Sequence, residues 1–480
     1  MVAKVSQVQN TSRQIDALDR IFAAQRAACN AQPMPPAAQR IADLKKLRKR
    51  LLEYQDELVA AVNQDFSCRS SDETRLAEIM PALAGIDYAV KHVRKWMKPS
   101  RRKVGQQFAP AKARVVYQPV GMVGVIVPWN YPVYLAVGPL TGALAAGNRV
   151  MIKMSEFTPA TAEVIERMIA ATFDEDQVAV LTGEADVAAA FSARPFDHLL
   201  FTGSTHVGKL VMKAAAENLT PVTLELGGKS PAIISADMPM KDAVPRMIFG
   251  KMVNAGQTCV APDYVLCPRE RVDEFVSHVK DTVAQMYPTL AGNGDYTSIV
   301  NERQHQRLQD VVADARKQGA RLIEINPAAE RFDQGRKMAP QLILDVNDDM
   351  RVMQEEIFGP LLPVVPYDTL DDALRYVNER PRPLALYYFD YDKKRAAWVL
   401  EHTHSGGACI NDALSHVAQD DMPFGGIGPS GIGHYHGHEG FLTFSHAKSV
   451  FERPRFNSMK FAYPPYGRFM HRLIYRLFLR

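Results

Sequence analysis

The sequence predicts an α/β protein built on two parallel β-sheets, each covered by helices on both faces. Three observations carry this reading. From residue 120, strand-length apolar runs alternate with helix-length amphipathic runs, the pattern of consecutive β-α units. A second alternating stretch occupies 230–429. The chain of 480 residues also exceeds what one hydrophobic core ordinarily serves, so at least two domains are expected.

Taken in order, residues 14–65 carry helical periodicity, with Ile41, Leu44, Leu47, Leu51 and Leu52 spaced between basic residues, and predict a helical layer. Residues 113–119 read as a strand. The alternation then predicts strand 123–127, helix 133–146, strand 150–153, helix 160–171, strand 178–181, helix 185–191, strand 198–202 and helix 207–216. This is a nucleotide-binding half, taken here as 1–225. The second half, 226–430, includes apolar strands at 341–344 and 361–365 and is the candidate catalytic half. Residues 441–451 are strand-like again, within a last segment 431–480.

Chemistry concentrates in three segments. Gly256-Gln257-Thr258-Cys259-Val260 offers a thiol on a small-residue loop after a predicted helix, where backbone amides approach closely. A cysteine attacks electrophilic carbon as its thiolate once its surroundings favour charge. A lone cysteine is more often an inert core residue. Thirty-four residues earlier, Glu225 interrupts the apolar run of a strand that ends in Gly227-Gly228. Burial there disfavours ionisation and suits a general base for water; a solvated edge strand is the plainer reading. The third segment, Pro128-Trp129-Asn130-Tyr131-Pro132, closes strand 123–127 with two prolines in a rigid turn. Such a turn aims the Asn130 amide at an oxyanion, or lets it bond the turn backbone.

Gly203-Ser204-Thr205-His206-Val207-Gly208 lies between a strand and a helix, where free amides and the helix dipole suit a pyrophosphate, although a Ser204 helix cap explains the same residues. Lys153 and Glu156 follow the end of a strand and are either sugar-hydroxyl ligands or a solvated ion pair. Glu355-Glu356 is equally open between a ligand and an exposed acidic pair.

Together, Lys153-Met154-Ser155-Glu156, Phe201-Thr202-Gly203-Ser204, Glu225-Leu226-Gly227-Gly228-Lys229, Gly256-Gln257-Thr258-Cys259 and Glu355-Glu356-Ile357-Phe358-Gly359-Pro360 stand in an order and spacing that resemble the aldehyde dehydrogenase superfamily over nearly the whole chain. Ala261-Pro262-Asp263-Tyr264, and Pro423-Phe424-Gly425-Gly426-Ile427-Gly428-Pro429-Ser430-Gly431 ahead of His434-Tyr435-His436-Gly437, are similar to its class 3 branch. Phe196-Asp197-His198-Leu199, Tyr296-Thr297-Ser298-Ile299 and Asn411-Asp412-Ala413-Leu414-Ser415-His416-Val417 resemble the bacterial coniferyl aldehyde dehydrogenases in particular.

The resemblance implies two Rossmann-like domains and a small β flap for oligomerisation, to which 113–119 and the 431–480 segment contribute, and hence a homodimer. It implies oxidation of an aldehyde to a carboxylic acid through a thiohemiacetal and thioester on Cys259, with Asn130 at the oxyanion and Glu225 activating water. The aldehyde is expected to be aromatic, such as coniferyl aldehyde, with medium-chain or fatty aldehydes as the alternative. The cofactor is expected to be NAD, with NADP also accepted, held by Trp129, Lys153, Glu156, Gly203, Ser204, Gly208, Glu356 and Phe358. Tyr131, Tyr264 and His416 are candidate tunnel residues or plain packing. From another class, a cofactor-free cysteine acyl hydrolase is the rival, against which the Gly203–Gly208 turn argues; a non-enzymatic binding protein is the third reading.

Composition bounds these expectations. Hydrophobic content of 47% and charged content of 23% are those of a globular protein, and a net charge of +4 gives no warrant for nucleic-acid binding. Five cysteines, at 29, 68, 259, 267 and 409, lack paired metal-type spacing, so no metal site and a reducing, cytoplasmic compartment are expected. No apolar signal core opens the chain, and the most apolar stretch, 120–147, is broken by Pro128, Asn130, Pro132 and Pro139. At the other end, Arg468, Arg472, Arg476 and Arg480 recur every four residues beside apolar side chains. That helix either lies on an anionic membrane surface or packs against its own protein or a partner subunit.

Overall fold

The computed structural model describes residues 2–479. Three helices open it, Val2–Ala31, Ala37–Glu53 and Gln55–Phe66, and the helix Met80–Trp96 comes after them. The predicted periodicity is what buries Leu44, Leu47 and Leu51, each contributing roughly 1.5–3 kcal/mol of hydrophobic stabilisation. The chain then forms β1 (Ser100–Arg102), β2 (Lys112–Pro119), β3 (Met122–Ile126), β4 (Arg149–Lys153), β5 (Val178–Leu181), β6 (His198–Thr202) and β7 (Val222–Glu225). The second half supplies β8 (Pro231–Ile234), β9 (Tyr264–Pro268), β10 (Arg321–Glu324), β11 (Gln341–Leu344), β12 (Leu361–Tyr367), β13 (Ala385–Phe389) and β14 (Gly407–Ile410). Last come β15 (Gly431–Ile432) and β16 (Ser445–Glu452).

These strands make three sheets. One runs β15-β7-β6-β3-β4-β5, parallel except for β15, which returns antiparallel to β7. The second runs β10-β11-β12-β9-β8-β13-β14, parallel except for β10. Both central sheets are buried on both faces, which explains their near-continuous apolar strands. The third is the small antiparallel sheet β1-β2-β16, in which Lys112–Pro119 pairs along its whole length with Ser445–Glu452.

The helix Tyr134–Ala146 is apolar on every side because it lies between β3 and β4 and the helices Ala37–Glu53 and Met80–Trp96. Residues 441–451 are not one strand as expected. Gly437–Thr443 is a short helix, and β16 begins only at Ser445. The reason is packing: Phe441 and Phe444, three residues apart, share one helical face and are both fully buried, Phe441 against Trp96 at 5.7 Å and Phe444 against His198 at 5.4 Å. Among the described residues no helix is long and apolar enough to cross a membrane.

Candidate active site

The first sheet reverses direction between β3 and β6, since the chain leaves β3 one way through β4 and β5 and returns on the other side for β6 and β7. A crevice opens beyond the carboxyl ends of strands at such a switch point. The predicted site residues sit there: Trp129 and Asn130 follow β3, Lys153 ends β4, Gly203 and Ser204 follow β6, and Glu225 ends β7.

Glu225 is not on a solvated edge. Its backbone is paired with Thr202 of β6 on one side and Gly431 of β15 on the other, and the residue is 2% exposed. Neither carboxyl oxygen has a hydrogen-bond partner, nor does the buried Thr202 hydroxyl. Burial alone pushes the Glu225 carboxyl well above the usual carboxylate range.

Cys259 stands on a loop that the backbone holds under strain. The helix Met240–Met252 ends, and Asn254, Ala255 and Gly256 follow at φ +53°, +50° and +77°. Left-handed non-glycine residues cost on the order of 1–3 kcal/mol each and persist only where the surroundings fix them. Here Asn254 Nδ2 donates to the carbonyls of Asn130 (3.0 Å) and Gln257 (3.1 Å). Gln257 Nε2 donates to the carbonyls of Asn254 and Ser298, both at 3.0 Å, and its oxygen accepts from Val300 N–H at 2.9 Å. Glycine is required at 256 because a Cβ would lie 2.4 Å from the Gly359 carbonyl oxygen.

The thiol is partly exposed and its surroundings do not favour charge. Burial, then Glu356 and Glu225, push it up to about 12, against the lowering effect of the Cys259 and Val260 backbone N–H groups. Tyr131, expected as a tunnel residue, borders the loop through a 2.7 Å hydrogen bond between its hydroxyl and Thr258 Oγ1. Asn130 is 3% exposed and spends one amide N–H on the Gln257 carbonyl at 3.2 Å, so it bonds the Cys259 loop rather than its own turn. Its own carbonyl accepts from Arg69 Nη1 at 2.9 Å. Arg69 is fully buried against Glu73 and Glu78, both at 3.1 Å. Glu73 accepts the Asn254 N–H at 3.1 Å, and Glu78 accepts those of Val133 and Tyr134 at 2.7 and 3.1 Å.

Glu356 faces the cysteine from a second loop. A Cβ on Gly227 would fall 2.1 Å from its carboxylate, so the glycine is what leaves room for it. Burial and Asp263 raise this carboxyl to about 8, opposed by the Gly228 N–H, Lys229 and Arg307. The loop is clasped at its main chain: Lys229 pairs with Asp263 and donates to the Val352 and Glu355 carbonyls at 2.7 and 3.0 Å. Asp263 accepts the Ile357 N–H at 2.9 Å, and Arg307 donates to the Ile357 carbonyl at 2.5 Å. Glu355, by contrast, is exposed and paired with Arg351 at 3.1 Å. Phe358 meets Trp129 edge-on at 5.2 Å.

At the far side of the switch, Lys153 is buried, donates to the Met154 carbonyl at 2.8 Å and lies 3.8 Å from Glu156; burial lowers its ammonium. Ser204 caps the helix Thr205–Ala216, whose first-turn N–H groups give the crevice a positive end. Gly208 serves packing, since a Cβ there would lie 2.6 Å from Leu226. A helix N-terminus, the Lys153–Glu156 pair, the glycine-spaced Glu356 and the unpartnered Thr202 hydroxyl together fit a dinucleotide.

Residues 3–450 match the aldehyde dehydrogenase family. The chain belongs to that family. It is 63% identical, over the full length of both chains, to a Pseudomonas aeruginosa protein named "Probable coniferyl aldehyde dehydrogenase". Staphylococcus aureus AldH in its substrate-bound state is 37% identical, with a TM-score of 0.91 over 96% of this chain and 99% of that one. A Mycobacterium tuberculosis aldehyde dehydrogenase complexed with NAD+ is 33% identical, with a TM-score of 0.81 over 89% and 88%.

The structure of this aldehyde dehydrogenase brings the thiol, Glu225, Glu356 and the Asn130 turn together from four separated segments. Of its two readings, tunnel or packing, Tyr264 takes the second: it is 1% exposed in β9 and packs on Tyr376 at 5.8 Å. Sequence reasoning missed Arg69, Glu73 and Glu78, which lie just beyond the helical stretch 14–65 that was read for its apolar face. It also missed Lys229, Asp263 and Arg307. Two of these lay inside quoted motifs, and the signal was a charged residue in a run that otherwise reads as apolar strand or turn. In this aldehyde dehydrogenase the C-terminal helix Phe469–Phe478 buries His471 but leaves Phe469, Leu477 and Phe478 more than half exposed.

Proposed function

We propose that this enzyme oxidises aromatic aldehydes of the coniferyl type to carboxylic acids, with Cys259 as nucleophile, Glu225 as the base for water and Asn130 as an oxyanion donor. The observation that carries the mechanism is Glu225: a buried carboxyl with both oxygens unpartnered, within electrostatic reach of a part-exposed thiol. The substrate class is supported by the name of the full-length Pseudomonas aeruginosa relative.

Cys259 loses its thiol proton to solvent and adds as the thiolate to the aldehyde carbon, and the carbonyl electrons move to oxygen, where the free Asn130 amide N–H and the Cys259 backbone N–H receive the charge. Lys153 and Glu156 would hold the adenosine ribose, the Gly203–Gly208 turn the pyrophosphate, Glu356 the nicotinamide ribose, and Trp129 and Phe358 the ring. When bound, oxidised NAD or NADP brings positive charge to the site and accepts the hydride. Glu225 then takes a proton from water, the water oxygen attacks the thioester carbon, and the carbon–sulfur bond breaks to free the acid and Cys259. A carboxylate at Glu156 favours NAD, with NADP as the second cofactor. NADH formation on coniferyl aldehyde, compared with medium-chain aldehydes and with NADP, tests this reading. A preference for aliphatic chains would overturn the substrate class, and normal turnover by Cys259→Ala the nucleophile.

We assign residues 1–225 to cofactor binding, 226–430 to catalysis and 431–480 to an oligomerisation strand and a basic C-terminal tail, and place the enzyme in the cytoplasm, which suits five free cysteines. We propose a homodimer, a reading supported by the β1-β2-β16 sheet, whose edge strand β16 is largely exposed. Residues 453–480 hold seven arginines and lysines and no acidic residue, so the rest of the chain is net acidic. We propose that this tail rests on an anionic membrane surface, arginines to the headgroups and Phe469, Leu477 and Phe478 into the interface. Cosedimentation with phosphatidylglycerol but not phosphatidylcholine vesicles, lost on removing 466–480, is the expected result; equal pelleting of the truncated protein would contradict it.

A further inference from the structure

One stripe of the first helix, Val2–Ala31, turns inward: Thr11, Gln14, Leu18, Ile21 and Gln25 follow one another three and four residues apart. Leu18 and Ile21 are buried in the apolar cluster that holds Met151 of β4 and Leu181 of β5. Gln25, fully buried, donates to the carbonyls of Val150 at 3.1 Å and Glu175 at 3.0 Å, where the same two strands begin. Beside the stripe, Arg26 pairs with Asp197 at 2.6 Å and Phe22 meets Phe196 edge-on at 5.2 Å. At the other end, Gln14 Oε1 lies 3.1 Å from where a Cβ of Gly183 would stand, just past the end of β5. The helix therefore runs antiparallel to β4 and β5, and the N-terminal part of its stripe passes beyond their carboxyl ends.

The stripe is apolar over the sheet and polar beyond it. Thr11 and Gln14 are half-buried, and among the described residues neither side chain makes a hydrogen bond. Together with Glu156, Glu163, Glu166 and Glu184 they line a cavity of about 440 Å³. That volume is within the roughly 300–1,000 Å³ of sites that hold small molecules. Glu156 is the carboxylate placed at the adenosine ribose, so this cavity is the adenosine end of the cofactor site. Among the described residues no lysine or arginine lines it. Lys153 is buried, with its ammonium on the Met154 carbonyl and 3.8 Å from Glu156.

A ribose with a free 2′-hydroxyl donates to carboxylates, and an adenosine offers both donors and acceptors to an amide and a hydroxyl. A 2′-phosphate would instead stand among four carboxylates with no cation to receive it. We propose that the first helix forms one wall of the adenosine end of the cofactor site, that Thr11 and Gln14 bond the adenosine there, and that the acidic lining selects NAD against NADP. This rests on the placing of the ribose at Glu156 and deepens it. Glu163, Glu166 and Glu184 are exposed, so salt screens their share of the selection.

The test is calorimetric titration of the full-length protein with NAD and with NADP, in the absence of aldehyde. At low salt, wild type should bind NAD about thirtyfold or more tightly than NADP, and the ratio should narrow as NaCl is raised. Gln14→Leu should weaken NAD binding by about threefold to tenfold, the loss of a hydrogen bond. Gln14→Arg sets a cation in the pocket and should tighten NADP binding by about tenfold while NAD binding changes by less than about threefold. Equal wild-type affinity for the two cofactors would overturn the acidic selection, and that measurement needs no variant to fold. NADP affinity unmoved by Gln14→Arg, in a protein that still binds NAD, would overturn the placing of the first helix. Glu156→Gln separates the two levels: unchanged NAD binding in that variant would remove the ribose reading itself. Weaker NAD binding there, with none in Gln14→Leu, would remove only the role of the first helix.

Discussion

Arg69 donates to the main-chain carbonyl of Asn130 at 2.9 Å, and this one bond ties the N-terminal helical layer to the turn that presents the Asn130 amide. The same guanidinium pairs with Glu73, which caps the Asn254 N–H in the Cys259 loop, and with Glu78, which caps the start of the helix after the turn. Arg69 is a positioning residue, touching no reacting atom. Arg69→Met should lower kcat by about tenfold or more with little change in NAD affinity, because misplacing a donor costs rate rather than cofactor contacts. Stranding two carboxylates should cost about 3–5 kcal/mol of stability. Arg69→Lys should recover part of kcat. Steady-state kinetics and NAD titration check this, and an unchanged kcat in a folded Met variant would refute it.

Gly227 leaves the space that the Glu356 carboxylate occupies, since a Cβ would stand 2.1 Å from it. Gly227→Ala should therefore act like a defect at Glu356, raising the NAD dissociation constant or lowering kcat by about tenfold, in the direction of Glu356→Gln. In a double mutant the two effects should not add. Additive losses would show that the glycine serves something else.

Glu356 is the first charge that raises the Cys259 thiol, ahead of Glu225. A nearby carboxylate disfavours the thiolate, so Glu356→Gln should move the pH dependence of Cys259 alkylation by iodoacetamide to lower pH in the cofactor-free enzyme. A shift to higher pH would contradict the arrangement.

Glu225 makes a stability prediction with a definite sign. Its folded carboxyl lies well above the unfolded value of about 4.3. As pH rises between those values, the unfolded chain loses a proton that the native protein keeps, so native stability falls. Glu225→Gln removes that titration. The difference in Tm, variant minus wild type, should grow from pH 5 to pH 8 by on the order of a few degrees. A difference independent of pH would count against a buried, unpartnered carboxyl.

Much of this was legible in the sequence for physical reasons. Short continuous apolar runs between helix-length stretches located β4, β5, β6 and β11 within a residue, because strands buried on both faces must be apolar throughout. Glu225 was legible because a carboxylate in such a strand needs a reason. Residues 441–443 were misread as strand because two phenylalanines three apart also fit an extended apolar run, and only Trp96 and His198, distant in sequence, decide for the helix. The Arg69 network reaches Asn130 and Asn254, 61 and 181 residues from their partners, and the local Arg69–Glu73 pair alone does not announce those contacts. The thiol environment ran opposite to expectation, since two carboxylates from other segments converge on Cys259.

The central claim is that Cys259 carries the acyl group and Glu225 activates the water that removes it. Single-turnover mixing of Glu225→Gln with NAD and coniferyl aldehyde, followed by intact-protein and peptide mass measurement, tests it most directly. The predicted result is a burst of about one NADH per active site, then a stall with the acyl mass on the peptide containing Cys259. Full steady-state turnover without an adduct, or an adduct on another cysteine, would contradict it.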